Sequence, residues 1–286
     1  MSEADRGERR LMETMSVAAS DGVTLAAHRS GAGPPLYAIH AGPATDHRSF
    51  GHYLQPVAAY RQLYLLDQRG CGDSEDAPAA AYRLDRLADD IEETRAALGH
   101  QRIDVIAHSF GCVVALSFAL RWPKSVRALV LVDGLVRGWR GVLASPRAWP
   151  LWVRMLSAGL NKDTDWKEFH LRHEVANAKA KGEVRALLAS PGRYDPARVG
   201  PLSRAAARPM DPRPLLAAGV PMLAIYGKQD RRFVGDAGFL QSLGARVALI
   251  DGAAHFPFVE QHQAFHHILK EFLESEPARS KEHGRR

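Results

Sequence analysis

A chain of 286 residues, 46% of them hydrophobic, can bury a large core as one α/β domain carrying an insertion. No apolar run approaches the length of a membrane span, the stretch 1–15 is too charged for a secretory signal, and neither Cys71 nor Cys112 has a metal or disulfide spacing. The formal charge of +6 comes from scattered basic residues, which argues against a nucleic-acid or membrane partner; the expected setting is the cytoplasm, and the expected partner a small-molecule substrate, with the chain acting as a monomer or homodimer.

In chain order, Asp21-Gly22 is a two-residue hairpin turn between strands expected over 12–19 and 23–29. A buried strand is expected over 36–40, a helix over 50–59 and a strand over 62–67. In 84–98, Leu84, Leu87, Ala88, Ile91, Thr94, Arg95 and Leu98 follow three-four spacing, an amphipathic helix that Gly99 stops. Strands over 103–107 and 126–132 flank a buried helix over 110–121, which ends before Pro123. From 134 to about 214 the rhythm gives way to tryptophans, prolines and scattered charge with helical pieces over 166–181 and 183–189, the pattern of an inserted cap. Strand-helix order resumes over 221–226, 233–243, 245–250 and 258–274. The expected organisation is a disordered arm over 1–11, a core built from 12–133 and 215–275, a helical cap over 134–214 and a disordered basic tail over 276–286. The fold class is α/β, a mostly parallel sheet covered by helices on both faces.

The chemistry centres on Val105-Ile106-Ala107-His108-Ser109-Phe110-Gly111, where an apolar strand runs into a serine and then an apolar helix. A sharp strand-to-helix turn forces the serine into strained backbone, so the residues two before and two after it must be small, as Ala107 and Gly111 are. Ser109 is the candidate nucleophile. A serine hydroxyl needs a base within hydrogen-bond reach and an acid to fix the tautomer of that base. Asp230 lies just past a late strand and His255 in the loop after the next one, and loops at the carboxyl ends of parallel strands meet in one crevice. Asp133, also just past a strand, is the alternative acid; its ordinary reading is a cap as the chain turns into the insertion.

Acyl transfer also requires donors for an oxyanion. The N–H of Phe110 is one, and the loop Ile39-His40-Ala41-Gly42-Pro43 supplies the other, from Gly42 first or Ala41 second. His40, Pro43, His108, Trp139 and Trp166 are the candidate substrate contacts, and the cap aromatics Trp149, Trp152 and Phe169 offer apolar walls or form the core of the cap itself. His262 and His266 lie one helical turn apart with no third ligand nearby, so no metal site is expected, and Glu260 is expected to cap the last helix.

On these residues the chain resembles the α/β-hydrolase superfamily, and within it the proline iminopeptidase-like hydrolases. His40-Ala-Gly-Pro43 looks like the His-Gly-Gly-Pro loop of that subgroup, and Asp67-Gln-Arg-Gly-Cys-Gly-Asp-Ser74 is similar to its Asp-Gln-Arg-Gly turn. The resemblance implies an eight-stranded sheet with one early antiparallel strand, a cap after strand six and no cofactor. Asp67 and Arg69 are expected to hydrogen-bond the loop backbone, with Gly70 and Gly72 permitting its tight return. Phe110 stands where the subgroup usually has Trp, Ala41 where it has Gly, and Glu168 and Glu174 read as solvent-facing rather than as holders of a substrate amine. The first expectation is a serine hydrolase of a small, mainly apolar ester, lactone or related acyl compound. An aminopeptidase, a carbon-carbon bond hydrolase and a non-catalytic ligand-binding member of the fold remain open beside it.

Overall fold

Runs rich in Val, Leu, Ile and Tyr form eight strands: β1 (Glu13–Ala18), β2 (Thr24–Ser30), β3 (Pro35–Ile39), β4 (Gln62–Leu66), β5 (Ile103–His108), β6 (Val126–Val132), β7 (Met222–Gly227) and β8 (Arg246–Ile250). The computed structural model describes residues 12–43, 45–138, 140–141, 149–160, 165–189 and 195–275; the expected arm and tail lie outside the described residues. The strands make one sheet in the order β1-β2-β4-β3-β5-β6-β7-β8, in which β2 alone runs against the rest.

The pleat divides the core in two. Ile39, Ala107 and Leu131 face the side covered by α1 (Leu84–Ala97) and α2 (Phe110–Arg121), whereas Ala38, Ile106 and Val130 face the opposite side. Because the central strands are parallel and buried on both faces, their middles read in sequence as apolar runs, 105–107 and 128–132.

Between β6 and β7 the described residues form α3 (Trp149–Leu160), α4 (Trp166–His173), α5 (Lys181–Leu188), α6 (Pro196–Ala206) and α7 (Arg213–Ala217). The helical piece expected over 166–181 stops at His173; an irregular stretch and a single 3₁₀ turn capped by Asn177 intervene before α5. The segment 47–59 is 3₁₀ rather than α, broken at Gly51, whose φ of 50° lies in the left-handed region, and it contains Pro56. After α8 (Gly235–Ser242) and β8, the expected single last helix is two, α9 (Pro257–Glu260) and α10 (His262–Ser275), separated at Gln261. Among the described residues no helix is long and apolar enough to cross a membrane.

Candidate active site

Ser109 stands between β5 and α2 with φ 55° and ψ −117°, a conformation that non-glycine residues rarely adopt. Its N–H donates to the Val132 carbonyl (2.9 Å) and its carbonyl accepts from Cys112 N–H (3.0 Å), which fixes the turn at both ends. Gly111 is a glycine for steric reasons: a Cβ there would sit 2.5 Å from the carbonyl oxygens of Ile39 and His40. That contact draws the end of β3, and the 41–42 loop after it, against the start of α2. The N–H groups of Ala41, Gly42 and Phe110 take no part in the turn and loop hydrogen bonds of the described residues. The Cys112 thiol is buried beneath the turn, and burial pushes it well above its ordinary range, so it packs as a small apolar residue.

The loops after β7 and β8 bring two further side chains to this edge. His255 Nε2 lies 3.0 Å from Ser109 Oγ, and His255 Nδ1 lies 2.7 Å from Asp230 Oδ2. Asp230 also accepts the backbone N–H groups of Arg232 (2.9 Å) and Phe233 (3.3 Å), so its orientation is set from its own loop. The structure thus joins Ser109, His255 and Asp230 in one hydrogen-bonded chain. Asp133 does not contact the imidazole as its orienting acid, nor does it cap the turn into the insertion; it reaches across to β7, where Oδ1 accepts Gly227 N–H (3.0 Å).

Two candidate substrate contacts face inward instead. His108 is fully buried, and burial, followed by the neighbouring His255, holds it well below its ordinary pKa. It is therefore neutral, and its Nε2–H donates to the His255 carbonyl at 2.7 Å, bracing the loop. Along β5 His108 shares a face with Ile106, and strand periodicity sends both into the core. His40 is also buried. Its Nε2 accepts the Gln68 N–H (3.2 Å) and its Nδ1 lies 2.7 Å from the Ala41 carbonyl, so it shapes the 41–42 loop from beneath. Pro43 is partly exposed. Trp139 and the side chains of Trp166 and Trp152 lie outside the described residues, and Trp149 is exposed.

Three residues tie the cap to this edge: Arg198, which the sequence did not single out, and Glu174 and Glu260, for which it suggested other roles. Arg198 of α6 is buried; its Nε donates to the Pro43 carbonyl (2.8 Å) and its Nη1 to the Gly70 carbonyl. The Asp195-Pro196 start marks a helix but gives no sign that Arg198 points inward. Glu174 is buried rather than solvent-facing: it pairs with Arg232 (2.9 Å) and His170 (2.8 Å), and its carbonyl accepts His255 N–H (2.9 Å). Burial opposes its ionisation, but Arg232 and His170 outweigh that and hold the carboxyl at about 2. Glu168 is exposed and paired with Arg185 (2.7 Å). Glu260 reaches back to the start of the expected last helix, where Oε1 accepts the N–H of Phe256, the residue before α9 (3.3 Å), and it does more than cap. Its carboxylate accepts N–H groups from Ala176 (2.7 Å), Asn177 (2.8 Å) and Ala254 (2.8 Å), stitching the cap to the residue before His255.

Arg198→Ala removes a guanidinium that satisfies two loop carbonyls. The expected result is roughly a 10-fold loss of kcat/KM, since loop displacement of even an ångström is costly to catalysis, together with a lower Tm. Steady-state kinetics with a thermal melt checks both, and an unchanged kcat/KM would show that the 41–43 loop needs no support from the cap.

In the Asp67 turn the expectation is met for one residue and not for the other. Asp67 accepts the N–H groups of His47 (2.8 Å) and Asp73 (2.9 Å), but Arg69 bonds carboxylates, with Asp90 (2.6 Å) and Asp21 (2.8 Å), not backbone. Gly70 and Gly72 have positive φ, and a Cβ on Gly72 would strike the Asp67 carboxylate. Among the described residues two sets bring three potential metal ligands close together: His28, His47 and Asp67, and Asp133, Asp230 and His255. In the first, both imidazoles hydrogen-bond Asp67 (3.0 and 2.9 Å) and Thr14 holds the other nitrogen of His28 (3.1 Å), a self-contained network. His262 and His266 pack ring to ring at 4.4 Å, and burial lowers His266 to about 4.

Beside this edge, a cleft of about 540 Å³ opens between α3–α4 and the loops after β7 and β8. Arg154, Arg172, His173, Lys228 and Arg231 line it, with Ala254 next to His255. Its described lining contains no carboxylate.

An eight-stranded sheet of this order, with a sharp serine turn and a histidine loop at one edge, defines an α/β-hydrolase. The chain belongs to the alpha/beta hydrolase fold family, whose family model matches residues 34–261. It is 26% identical over 279 residues to the proline iminopeptidase of Lactobacillus delbrueckii subsp. bulgaricus, covering 85% of this chain and 90% of that one. It also superimposes on a proline iminopeptidase-related protein from Thermus thermophilus with a TM-score of 0.77, at 23% identity and over 93% and 98% of the two chains. A thermophilic esterase from Thermogutta terrifontis matches with a TM-score of 0.70, at 21% identity and over 92% and 98%.

Proposed function

We propose that this chain is a serine hydrolase that works through an acyl-enzyme on a small ester or lactone. The carrying observation is the unbroken line from Ser109 Oγ through His255 to Asp230, with 3.0 and 2.7 Å contacts, at a serine held in strained backbone. His255 removes the hydroxyl proton as Ser109 Oγ attacks the carbonyl carbon, and Asp230 stabilises the imidazolium and fixes the tautomer. The N–H groups of Phe110 and of Gly42 or Ala41 receive the oxyanion. His255 then protonates the leaving group, and a water activated by the same imidazole releases the acid. The reaction uses protein groups only, with neither cofactor nor metal.

Esters and lactones are favoured over peptides with a free amine by the charge balance of the cap. Its one buried described carboxylate, Glu174, already faces Arg232 and His170, and Glu168 is paired with Arg185, which leaves a substrate ammonium without an unpaired partner at either of these two acids. The aminopeptidase reading retains one support, the likeness to a proline iminopeptidase.

Labelling with a fluorophosphonate, followed by a panel of aryl esters, lactones, a prolyl anilide and a diketone, tests the reading. Wild type is expected to label at Ser109 and to turn over esters or lactones. The basic cleft adds a second expectation: esters bearing a distal carboxylate have lower KM than neutral esters of equal length, and salt erases the difference. Turnover confined to the prolyl anilide would favour the aminopeptidase, turnover confined to the diketone would favour carbon-carbon cleavage, and absence of labelling would leave a non-catalytic binding protein.

A further inference from the structure

Asp133 follows β6 directly, and the mechanism leaves it without a task. Its carboxyl is completely buried and its φ of 44° is left-handed, an uncommon conformation for a residue with a side chain. Such backbone persists only where the surroundings hold it. Here its N–H donates to the Ile225 carbonyl (2.9 Å) while Oδ1 accepts Gly227 N–H (3.0 Å), which clamps the side chain onto the end of β7. Oδ2 receives no donor among the described residues. Ligating atoms of Asp133, Asp230 and His255 all lie within 4.8 Å of one another.

Two buried carboxyls at this separation do not both ionise, because each charge raises the cost of the other where little water screens them. One of them keeps a proton. Asp230 accepts two backbone N–H groups and faces His255 Nδ1, whereas Asp133 accepts one N–H, so the negative charge resides on Asp230. Arg232, the nearby cation, is engaged by Glu174.

We infer that Asp133 is a positioning residue that stays protonated and donates its O–H to the Asp230 carboxylate, orienting the triad acid that His255 faces. This rests on the serine hydrolase reading above. Burial, and then the charge of Asp230, push the Asp133 carboxyl well above the ordinary carboxylate range, which agrees with the geometry. During turnover this proton does not move. As His255 becomes imidazolium, the bond from Asp133 keeps Asp230 anionic and aimed at Nδ1.

The test uses two variants of the full chain. Asp133→Asn retains an amide N–H for Asp230 and a carbonyl for Gly227 N–H, and is expected to keep kcat within about 3-fold of wild type. Asp133→Leu has similar bulk but no donor, and is expected to lose roughly 10- to 100-fold in kcat with KM unchanged, the cost of a misaligned catalytic group. A purely structural role would lower Tm in step with activity and would leave the kcat of the folded fraction intact. The infrared difference spectrum of wild type minus Asp133→Asn is expected to contain the carbonyl stretch of a protonated carboxylic acid. Absence of that band, or a 10-fold or greater loss of kcat in Asp133→Asn, would overturn the assignment. Because the infrared band does not depend on turnover, it remains decisive even if Ser109 proved unreactive.

Discussion

Replacing Ser109 by alanine is expected to lower kcat by ~10⁴-fold or more, with what remains coming from binding and the oxyanion donors. In the proposed mechanism the hydroxyl is the only group of the triad that forms a bond to substrate, and its 3.0 Å contact with His255 is an isolated link rather than part of the fold. Removing it leaves the loops after β7 and β8 held by Asp230, His108 and Glu260 as before. The melt of Ser109→Ala should therefore stay close to that of wild type. Ser109→Gly is more revealing: it removes the hydroxyl and also relieves the φ of 55°. Strain of this kind costs of order 1–3 kcal/mol, so the glycine variant is expected to be inactive and yet to melt above Ser109→Ala. Stopped-assay kinetics and calorimetry on the three proteins suffice. Retention of even a hundredth of wild-type kcat by Ser109→Ala would show that another group attacks the substrate.

That the serine turn was legible in the sequence follows from local sterics. A residue two after the serine must pass the carbonyls of β3, and only glycine does so, which makes the pattern around Ser109 a readable mark. The order of Asp230 and His255 was legible for a related reason: each lies a few residues past an apolar strand, and parallel strands deliver their ends to one edge. What escaped depends on direction and on distant partners. His40 and His108 flank the site in sequence yet point into the core, and for His108 the signal was present, since strand alternation puts it on the face of Ile106. Glu174 looked solvated because its partner, Arg232, comes from the loop after β7. Arg198 was invisible for the same reason, and the 3₁₀ character of 47–59 follows from Gly51 and Pro56 interrupting a pattern that read as an ordinary helix.

Gly227→Ala is expected to be the single-methyl change among the described glycines that strikes the His255 loop most directly. Its φ is ordinary, so alanine meets no backbone penalty there; the obstacle is space, with a Cβ 1.9 Å from the Ala254 carbonyl oxygen and 2.6 Å from that of Ala253. Both contacts are backbone, and no side-chain rotation relieves them. The segment that must shift is the one leading into His255, and it is already held by Gln229 N–H on the Ala253 carbonyl (2.9 Å) and Ala254 N–H on Glu260 (2.8 Å). Gly227 also donates its N–H to Asp133 and accepts the Asp230 N–H at its carbonyl (2.9 Å), so movement of either partner separates acid from base. Overpacking of a buried site costs about 1–3 kcal/mol, sometimes more, and a displacement of about 1 Å at His255 costs roughly 100-fold in rate. The variant should thus show both a clear fall in Tm and at least that loss in kcat at temperatures where it remains folded. The fluorophosphonate separates the two effects: folded Gly227→Ala should label at Ser109 far more slowly than wild type. Labelling at the wild-type rate would mean that the His255 loop absorbs the methyl group without moving its imidazole.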